Sequence, residues 1–540
     1  MPRASSARRR RPLGRSGGRR IATRCWALEL VLRCRAPFSS ALLPEIARTP
    51  LSHAHARPRE FHRTKIVATL GPASADESLI ERLLLAGVDV FRLNFSHGDH
   101  ASHGAVVARI AKLRDNLRRP AAILADLRGP RIRIGNLGER SPIHIRRGET
   151  VVLSCEETVD ESRIPVSYPA FSRDVSPEDR VLIADGALEL KAKSIRGKDV
   201  ECEVVYGGML TSYKGINLPG SRVSAPALGE KDLADLAFAA KMGVDYIALS
   251  FVRSVDDVRM ARRAMSHLGS RAHLCAKIER PEALANLDAI LAEVDAVMVA
   301  RGDLGVEVGV ENIPVLQKRI IAKAMEARVP VITATQMMES MIENPRPTRA
   351  EASDVANAIL DGTDAVMLSG ETAAGRFPVE CVEVMQKIAV RAEEELFRRA
   401  IERRRRRGNR AEHVPAAVEE ATVGAAAHCA EDLDAAAVAI FTDSGRTARL
   451  LSSRRLRIPI YAFTHFPETW RRMALYHGIE PVLTDGAKSV EEMVETAEGV
   501  LRARGALHMG ERIVLVSGAT NVSGATNSVR IHTVGVIGDA

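Results

Sequence analysis

Short apolar runs alternate with helical segments along residues 65–369, and this alternation constrains the fold of the 540-residue chain more than any other feature. Eight runs have the character of strands, at residues 65–71, 89–96, 121–126, 246–252, 273–279, 296–300, 330–335 and 365–369. Helical patterns lie between them, for example at residues 78–86, 228–241, 254–268, 313–327 and 348–360. Eight strands, each followed by a helix, are typical of a closed parallel barrel rather than an open sheet. The count predicts an α/β fold with a (β/α)8 TIM barrel.

One interval breaks this rhythm. About 120 residues separate the third predicted strand from the fourth, far more than an ordinary βα connection contains. Within this interval, alternating apolar and polar residues bounded by Gly or Asp predict strands, at residues 143–152, 180–183, 188–194 and 200–206. We expect a small inserted β-barrel domain at residues 138–217, forming a lid on the carboxyl-terminal mouth of the barrel. Residues 63–137 and 218–395 then form the barrel itself.

A second βα series follows the barrel. After residue 385 the chain becomes helical and Arg-rich, as an exposed helix end and linker would be. Five further strands are predicted, at residues 436–441, 458–462, 480–483, 512–516 and 531–536. They indicate a separate C-terminal α/β domain within residues 396–540.

The positive charge of the chain is concentrated at its N-terminal end. The net charge is +9, but residues 1–63 contain 15 Arg, no Lys and three Glu, so the remaining residues are close to −3. A nearly neutral body argues against nucleic-acid binding by the folded part. We interpret residues 1–62 as a disordered Arg-rich extension. A transit peptide, an arm for nucleic acids or anionic surfaces, an inert tail and an over-extended reading frame remain alternatives.

Removing residues 1–60 should leave kcat and the thermal midpoint nearly unchanged, because this segment lacks the apolar periodicity needed to pack against the body. Activity and thermal unfolding of the truncated and full chains provide the measurement. A loss of several degrees, or of assembly, would show that the segment is structural. Unchanged activity with loss of organelle import or RNA retention would instead support a functional tail.

Cysteine spacing and hydropathy indicate the cellular compartment in which the protein is expected. The seven cysteines are scattered and show no CxxC spacing, which favours a reducing environment and argues against a disulfide framework or a structural zinc site. No apolar run approaches the roughly 18 residues of a membrane span. We therefore expect a cytoplasmic protein that does not cross a membrane.

Polar residues stand at the carboxyl-terminal ends of the predicted strands, the face that carries the active site in eight-fold barrels. Burying Lys, Glu or Asp is unfavourable unless the charges are paired or bind a metal. Two carboxylates with an ammonium and a hydroxyl suit a divalent cation and an anionic, oxygen-rich substrate. The residues in question are, in strand order, Arg92, Asn94 and Ser96, then Asp126, Ser250, Lys277 and Glu279, Asp303, Thr335 and Ser369.

Two loops could bind phosphate. Residues 126–133 place three arginines beside one carboxylate, as a polyphosphate site requires, although Arg-rich loops are often only solvated. The second loop follows a strand and opens a helix, and its backbone N–H groups, hydroxyls and guanidinium suit a phosphate. An ordinary N-capped helix start explains this second loop equally well. Its candidate residues are Thr442, Ser444, Gly445, Arg446 and Thr447.

Together, the motifs of residues 64–395 resemble pyruvate kinase, and the resemblance continues more loosely to the C-terminus. The matching motifs are KIVATLGP at 65–72, RLNFSHG at 92–98, DLRGPRIR at 126–133, KGINLPG at 214–220, AKIE at 276–279, RGDLG at 301–305, ATQM at 334–337, PRPTRAE at 345–351 and MLSGET at 367–372. The resemblance implies a catalytic barrel, an inserted domain that acts as a mobile lid, a C-terminal domain with effector capacity, and a homotetramer. It also implies phosphoryl transfer from phosphoenolpyruvate to ADP.

The resemblance also assigns roles to residues. Glu279 and Asp303 would hold Mg²⁺ or Mn²⁺. Lys277 would contact the transferring phosphoryl group, and Arg92 would bind the same phosphate. Thr335, with the backbone near Gly302 and Asp303, would orient the enolpyruvate. The implied nucleotide-binding residues are Asn94, His97, Arg133 and Lys214.

The third-strand loop departs from much of the family. Many members have an acidic residue where this chain has Arg131, and the corresponding K⁺ site uses Asn94, Ser96, Asp126 and Leu127. A guanidinium at Arg131 could supply the charge that K⁺ supplies elsewhere, which puts K⁺ dependence in doubt. This loop and the sequence Ile-Glu-Arg-Pro at 278–281 resemble the second bacterial branch of the family.

Two alternative functions stay open from the sequence. Another Mg²⁺-dependent barrel enzyme acting on phosphoenolpyruvate or pyruvate, such as an aldol-type lyase, shares the strand-end pattern. A catalytically silent metabolite sensor, or a nucleic-acid-binding relative, would keep the fold without the chemistry. The inserted domain with Arg133 and Lys214 favours nucleotide chemistry, and the complete set of charged strand-end residues argues against silence.

Overall fold

The computed structural model describes residues 62–156, 160–407, 417–487, 489–518 and 526–535, with only the backbone for residues 400–407. Most of the predicted N-terminal extension, part of the predicted Arg-rich linker and Val536 lie outside the described residues. Residues from 60 onward group into one compact unit.

Eight parallel strands form a closed barrel, as the sequence predicts. Each strand pairs with the next one along this series, and the eighth closes the barrel against the first. Every residue of the first, third, fourth, sixth, seventh and eighth strands is buried, which explains their nearly continuous apolar sequence. The barrel strands are Lys65–Leu70, Val90–Asn94, Ala122–Asp126, Tyr246–Leu249, His273–Ile278, Ala296–Ala300, Val331–Ala334 and Ala365–Leu368.

Helices surround the barrel, and local capping defines several of their ends. The helix Arg349–Leu360 begins with a capping box, in which Thr348 and Glu351 satisfy each other's backbone N–H groups. None of the described helices is both long and apolar enough to cross a membrane. The main helices are Glu77–Ala86, His100–Leu117, Glu230–Met242, Val255–His267, Pro281–Ala285, Leu287–Leu291, Arg301–Val308, Ile313–Glu326, Arg349–Leu360, Gly370–Ala373 and Pro378–Arg407.

The long interval forms a β unit with a hydrophobic core of its own. It contains a seven-stranded sheet and a two-stranded sheet. Its first strand, Ile132–Arg133, pairs with Gly215–Asn217, so the sheet begins before residue 138. Two residues carry no detectable alternation, which is why the sequence pattern does not reveal this strand. The strands are Ile132–Arg133, Ile143–Ile145, Thr150–Ser154, Arg163–Pro165, Arg180–Ile183, Leu188–Arg196, Asp199–Tyr206, Gly208–Leu210 and Gly215–Asn217.

The C-terminal part forms a five-stranded sheet with helices. Its first four strands are parallel, and the last strand is antiparallel at one edge. In sheet order the strands are Ile479–Leu483, Ile460–Thr464, Ala437–Phe441, Arg512–Gly518 and Thr526–Thr533. The main helices are Val418–Asp432, Arg446–Ser452, Pro467–Arg472 and Val490–Ala503.

The C-terminal domain closes the amino-terminal end of the barrel. Barrel-interior side chains such as Met298 and Met367 belong to one apolar cluster with residues 473–476 of the C-terminal domain. The Tyr246 hydroxyl donates to Arg472 O at 2.8 Å, and Lys65 Nζ donates to Ile479 O at 2.8 Å. These contacts leave the carboxyl-terminal end of the barrel as the face available for a site.

Replacing Glu393 by Ala should lower the thermal midpoint by a few degrees. The buried Glu393 carboxylate accepts hydrogen bonds from Arg63 N at 2.9 Å and Thr64 N at 2.6 Å, so its loss leaves backbone donors without an acceptor. Such a group costs ~1–3 kcal/mol. Thermal unfolding provides the measurement, and Glu394→Ala is the matched control because Glu394 is exposed and pairs only with Arg391 on the same helix among the contacts described. Equal midpoints for the two variants would contradict the prediction.

Candidate active site

A buried charged cluster surrounds Lys277 at the carboxyl-terminal end of the fifth barrel strand. Lys277 Nζ lies 2.8 Å from Glu279 Oε1 and 3.2 Å from Asp126 Oδ1, and it donates to Ser250 Oγ at 2.7 Å. Burial disfavours the ammonium, but the carboxylates of Asp126 and Glu279 outweigh burial and raise the pKa of Lys277. Lys277 is therefore a fixed positive charge at the mouth of the barrel.

Asp126 holds two cations in place. Besides the Lys277 contact, Asp126 Oδ2 accepts from Arg92 Nε at 2.7 Å and lies 2.7 Å from Arg92 Nη2. Arg92 Nη1 donates to Thr69 Oγ1 at 3.0 Å, which fixes the guanidinium plane. Burial alone would raise the pKa of Asp126, but Lys277 and Arg92 together lower it. The carboxylate thus orients Arg92 and Lys277 toward the same region.

Glu279 and Asp303 fit a divalent cation. Glu279 Oε2 accepts from Phe251 N at 2.8 Å, and Oε1 lies 2.8 Å from the Lys277 ammonium. Burial raises the pKa of Glu279, the Lys277 ammonium lowers it in part, and the Asp303 carboxylate raises it further. A cation between the two carboxylates would relieve their repulsion.

Two carboxylates are too few to complete a metal site by themselves, which suits Mg²⁺ or Mn²⁺ with other ligands from substrate and water. The described residues contain no group of three or more His, Cys, Asp or Glu side chains arranged for a metal. Mg²⁺ is commonly held by one or two carboxylates, with substrate oxygens and water as the other ligands. Glu279 and Asp303 supply that kind of incomplete site.

Thr335 has a strained backbone beside Asp303. Its φ is +67°, a left-handed value that is unfavourable for a β-branched residue, and Gln336 follows with φ +53°. Gly302 N donates to Thr335 Oγ1 at 2.8 Å, and Arg301 Nη2 donates to Thr335 O at 2.7 Å. Strain of this kind persists where the surroundings impose it and is common at functional sites. The Thr335 hydroxyl is thereby fixed next to the first turn of the helix that carries Asp303.

A cleft between the barrel and the inserted domain leads to these groups. Asp303 borders it from the barrel, and residues of the inserted sheet border it from the other side. The polar residues that line it are Arg131, Asp185, Asn217, Arg253, Arg280 and Asp303. A substrate that enters this cleft meets charges of both signs beside the carboxylates.

Comparison with known proteins agrees with this geometry. A family model described as pyruvate kinase, barrel domain, matches residues 61–382, and one described as pyruvate kinase, alpha/beta domain, matches residues 420–532. The pyruvate kinase of Mycobacterium intracellulare is 45% identical over 477 residues, which cover 88% of this chain and 98% of the relative. The chain belongs to the pyruvate kinase family.

Other relatives extend the comparison. The pyruvate kinase of Clostridium acetobutylicum is 40% identical over 479 residues, which cover 88% of this chain and 100% of the relative. A crystal structure of a pyruvate kinase from Cryptosporidium parvum is 35% identical, with a TM-score of 0.82, covering 88% of this chain and 96% of that one. The family and fold predicted from the sequence are confirmed, and the relatives support pyruvate kinase as the enzymatic function.

Among the residues predicted to bind nucleotide, Arg133 and Lys214 lie at the junction of barrel and inserted domain. Arg133 pairs with Gly215 in the inserted sheet, and Arg133 Nη1 donates to Tyr213 O at 2.7 Å. Burial and the nearby guanidiniums of Arg128 and Arg131 lower the pKa of Arg133. The side chain of Lys214 is exposed. Arg133 is thus in one strand of the inserted sheet, and Lys214 directly precedes the strand that pairs with it.

Asn94 is the last residue of the second barrel strand, and His97 follows in the next loop, on the barrel side of the site. His97 is exposed, and its carbonyl faces His103 Nε2 at 2.9 Å. Asn94 is half-buried, and its Oδ1 accepts from Ser96 N at 3.1 Å. The nucleotide role of these two residues stays a prediction.

Three of the four candidate K⁺ ligands already have protein partners. Asn94 Oδ1 accepts the Ser96 N–H, Leu127 O accepts the Ser250 hydroxyl at 2.8 Å, and Asp126 pairs with two cations. Because an oxygen that accepts one hydrogen bond keeps a second lone pair, the independence from K⁺ stays a prediction. Arg131 does not supply the pairing charge by contact, because its side chain is exposed at the cleft and has no hydrogen bond or ion pair described.

The predicted effector loop lies in the C-terminal domain, where its own residues satisfy much of its polar surface. Gly445 N donates to Thr442 Oγ1 at 3.1 Å, and Thr447 Oγ1 lies 2.6 Å from Thr526 Oγ1. Arg446 Nε lies 2.8 Å from Glu419, and Ser444 Oγ accepts weakly from Arg446 N at 3.4 Å. Phosphate binding by this loop stays a prediction.

Two site contributors escape sequence reasoning. Thr69, near the end of the first barrel strand, holds Arg92, and Arg301 holds the strained Thr335 carbonyl. Arg301 is itself paired with Asp354 at 2.7 Å. Both residues lie within the matching motifs, and the rule that strand ends carry function could have identified Thr69.

Proposed function

We propose that this protein transfers the phosphoryl group of phosphoenolpyruvate to ADP, forming pyruvate and ATP. The observation that carries this proposal is the buried Lys277 ammonium, which Asp126 and Glu279 hold at the mouth of a pyruvate kinase barrel. A fixed cation at that place stabilises the negative charge on the oxygens of the transferring phosphoryl group. Because the ammonium is already oriented and desolvated, little reorganisation is needed during the reaction.

Arg92 binds the same phosphate from the second barrel strand. Asp126 and Thr69 fix its guanidinium, and the two terminal nitrogens each carry a second N–H that can donate to a phosphate oxygen. A planar fork suits two phosphate oxygens at once. The Thr335 hydroxyl and the backbone around Gly302 and Asp303 orient the enolpyruvate part of the substrate.

Glu279 and Asp303 would hold the divalent cation, Mg²⁺ or Mn²⁺. When bound, the cation would supply positive charge that offsets the negative charge of the substrate during transfer. The two carboxylates keep their separation through the strand end and the helix that carry them. Their mutual repulsion, by which Asp303 raises the pKa of Glu279, is the feature that fits this role.

The nucleotide enters the cleft with its phosphates directed to Arg133 and Lys214, and Asn94 and His97 contact it from the barrel. Because Arg133 and Lys214 belong to the inserted domain, a movement of that domain toward the barrel would bring both cations to the phosphates. Exclusion of water at that moment strengthens each electrostatic contact.

Loss of the phosphoryl group leaves an enolate, which takes up a proton at its terminal carbon to become pyruvate. Thr335, acting through a water molecule, is our candidate for delivering this proton. Its hydroxyl is fixed between Gly302 N and Ala334 O, close to the groups that orient the enolpyruvate.

We further propose that the protein is a cytoplasmic homotetramer whose C-terminal domain binds an effector phosphate at residues 442–447. The family resemblance supports assembly and effector binding. The scattered free cysteines, of which four of the five described are buried, support a reducing compartment.

The test of the proposed function is pyruvate formation from phosphoenolpyruvate by the full chain, with and without ADP. We expect a rate that requires both ADP and Mg²⁺ and produces ATP in equal amount. Pyruvate formation without ADP would indicate another barrel enzyme. Binding of phosphoenolpyruvate without turnover would indicate a metabolite sensor.

A further inference from the structure

An ion pair between Arg280 and Glu307 lies beside the cleft, outside the groups assigned to the reaction. Arg280 Nη1 lies 2.6 Å from Glu307 Oε1, and both residues are less than one-tenth exposed. Removing two charges from water is unfavourable, and a buried ion pair often stabilises a fold no better than apolar residues do. Stability alone is therefore a weak explanation for this pair.

Each partner lies close in the chain to one of the two metal carboxylates. Arg280 directly follows Glu279, and Glu307 lies one helical turn after Asp303 on the helix Arg301–Val308. The ion pair therefore ties the end of the fifth barrel strand to the helix that follows the sixth. This connection constrains how far Glu279 and Asp303 stand apart.

The same pair holds the segment through which the inserted domain returns to the barrel. Asn217, the last residue of the inserted sheet, donates from Nδ2 to Glu307 Oε1 at 3.3 Å. Arg280 Nη2 donates to Ser221 O at 3.3 Å. Asn217, Arg280 and Asp303 line one cleft. The seating of the inserted domain and the position of the carboxylates are thus joined through two side chains.

We propose that Arg280 and Glu307 are positioning residues that set the separation of Glu279 and Asp303 for the divalent cation and couple it to the seating of the inserted domain. The inference rests on the proposed function, which assigns the two carboxylates to the metal. Replacing partners that orient metal ligands typically weakens metal binding by ~10–100-fold.

The experiment measures Mn²⁺ binding to the full chain without substrate, by electron paramagnetic resonance of the free ion. Three variants are compared with the natural chain: Glu307→Gln, Arg280→Met, and the double variant Arg280→Met with Glu307→Leu. The double variant replaces the pair by apolar side chains, which is often neutral for stability. We expect the Mn²⁺ Kd to rise about 10-fold in each, with the double variant no worse than the singles.

Arg253→Met is the matched control. Arg253 holds the same returning segment through Val223 O and Ala225 O, but its carboxylate partner is Asp257 rather than Glu307. We expect its Mn²⁺ Kd to stay within twofold of the natural chain. Proteolysis of the inserted domain tests the coupling: Mn²⁺ with ADP should slow cleavage in the natural chain but not in the double variant.

Three results would overturn the inference. The first is a double variant whose thermal midpoint is unchanged and whose Mn²⁺ Kd is within twofold of that of the natural chain. The second is a rise in the Mn²⁺ Kd of Arg253→Met as large as that of the double variant. The third is a double variant that Mn²⁺ with ADP protects from proteolysis as well as it protects the natural chain. If Arg280→Met fails to fold, Glu307→Gln is judged by the same limits on the Mn²⁺ Kd, because Gln keeps the size of Glu and an oxygen that can accept from Asn217. A natural chain that neither binds Mn²⁺ nor forms pyruvate would overturn the proposed function as well. A natural chain that does both, beside unchanged variants, would overturn only this inference.

Discussion

Lys277→Met should lower kcat by at least ~10³-fold while changing the Kd of phosphoenolpyruvate little. The Lys277 ammonium faces charge that develops mainly in the transition state, and such a contact contributes roughly 3–4 kcal/mol. Steady-state kinetics give kcat, and titration calorimetry gives the Kd. The variant should keep the fold, since Met fills most of the same volume; circular dichroism checks this.

Two comparisons make the result specific. Lys241→Met removes an exposed lysine from the helix Glu230–Met242 and should leave kcat unchanged. Combining Lys277→Met with Glu279→Ala should lower kcat by less than the product of the two single effects, because the two groups act as one unit. A Lys277→Met enzyme that keeps a tenth of the natural kcat would remove this ammonium from the mechanism.

The natural enzyme should work at nearly full rate when Na⁺ or a large organic cation replaces K⁺, and Arg131→Glu should create a K⁺ requirement of tenfold or more. Arg131 places a permanent positive charge on the cleft, and the candidate K⁺ oxygens around Asn94, Asp126 and Leu127 already accept hydrogen bonds or pair with cations. A carboxylate at position 131 would add negative charge that a bound cation offsets.

The measurement is kcat with and without K⁺ at fixed ionic strength. Mg²⁺ and ADP must be saturating, because a monovalent effect on either Michaelis constant would imitate a true requirement. Arg131→Lys is the matched control, since it keeps the charge and should stay independent of K⁺. A tenfold activation of the natural enzyme by K⁺ would show that Asn94, Ser96 and Asp126 bind the ion after all.

The barrel could be predicted because its strands are buried on both sides. The predicted strand at 296–300 coincides with the observed Ala296–Ala300, and the other barrel strands differ by a few residues at their ends. Strands that are little buried are harder to predict from the sequence. The edge strand Thr526–Thr533, with only one buried residue, was expected at 531–536. Ile132–Arg133 is too short to show a period.

The residue types at the site could be predicted from the sequence, but the ion pairs among them could not. The ends of parallel strands collect at one face, so Lys277, Glu279 and Asp126 were expected together. Which cation meets which carboxylate depends on barrel register and rotamers, which the sequence pattern does not contain. The pairing of Arg280 with Glu307 could not be predicted, because Arg280 is noted only within the motif at 278–281 and each residue lies in a helical or loop segment where charges are usually solvated.

The C-terminal domain closes the amino-terminal end of the barrel, its floor, and this closure has a consequence for synthesis on the ribosome. The first barrel strand pairs with the eighth, Lys65 beside Ala365, and the apolar interior is completed by residues 473–476. Contacts between segments so distant in the chain are slow to form. The nascent barrel therefore leaves the ribosome with its floor exposed, and the floor stays exposed until the last third of the chain has been synthesised. During that interval the unpaired edge of the first strand and the apolar floor are surfaces that chaperones would recognise.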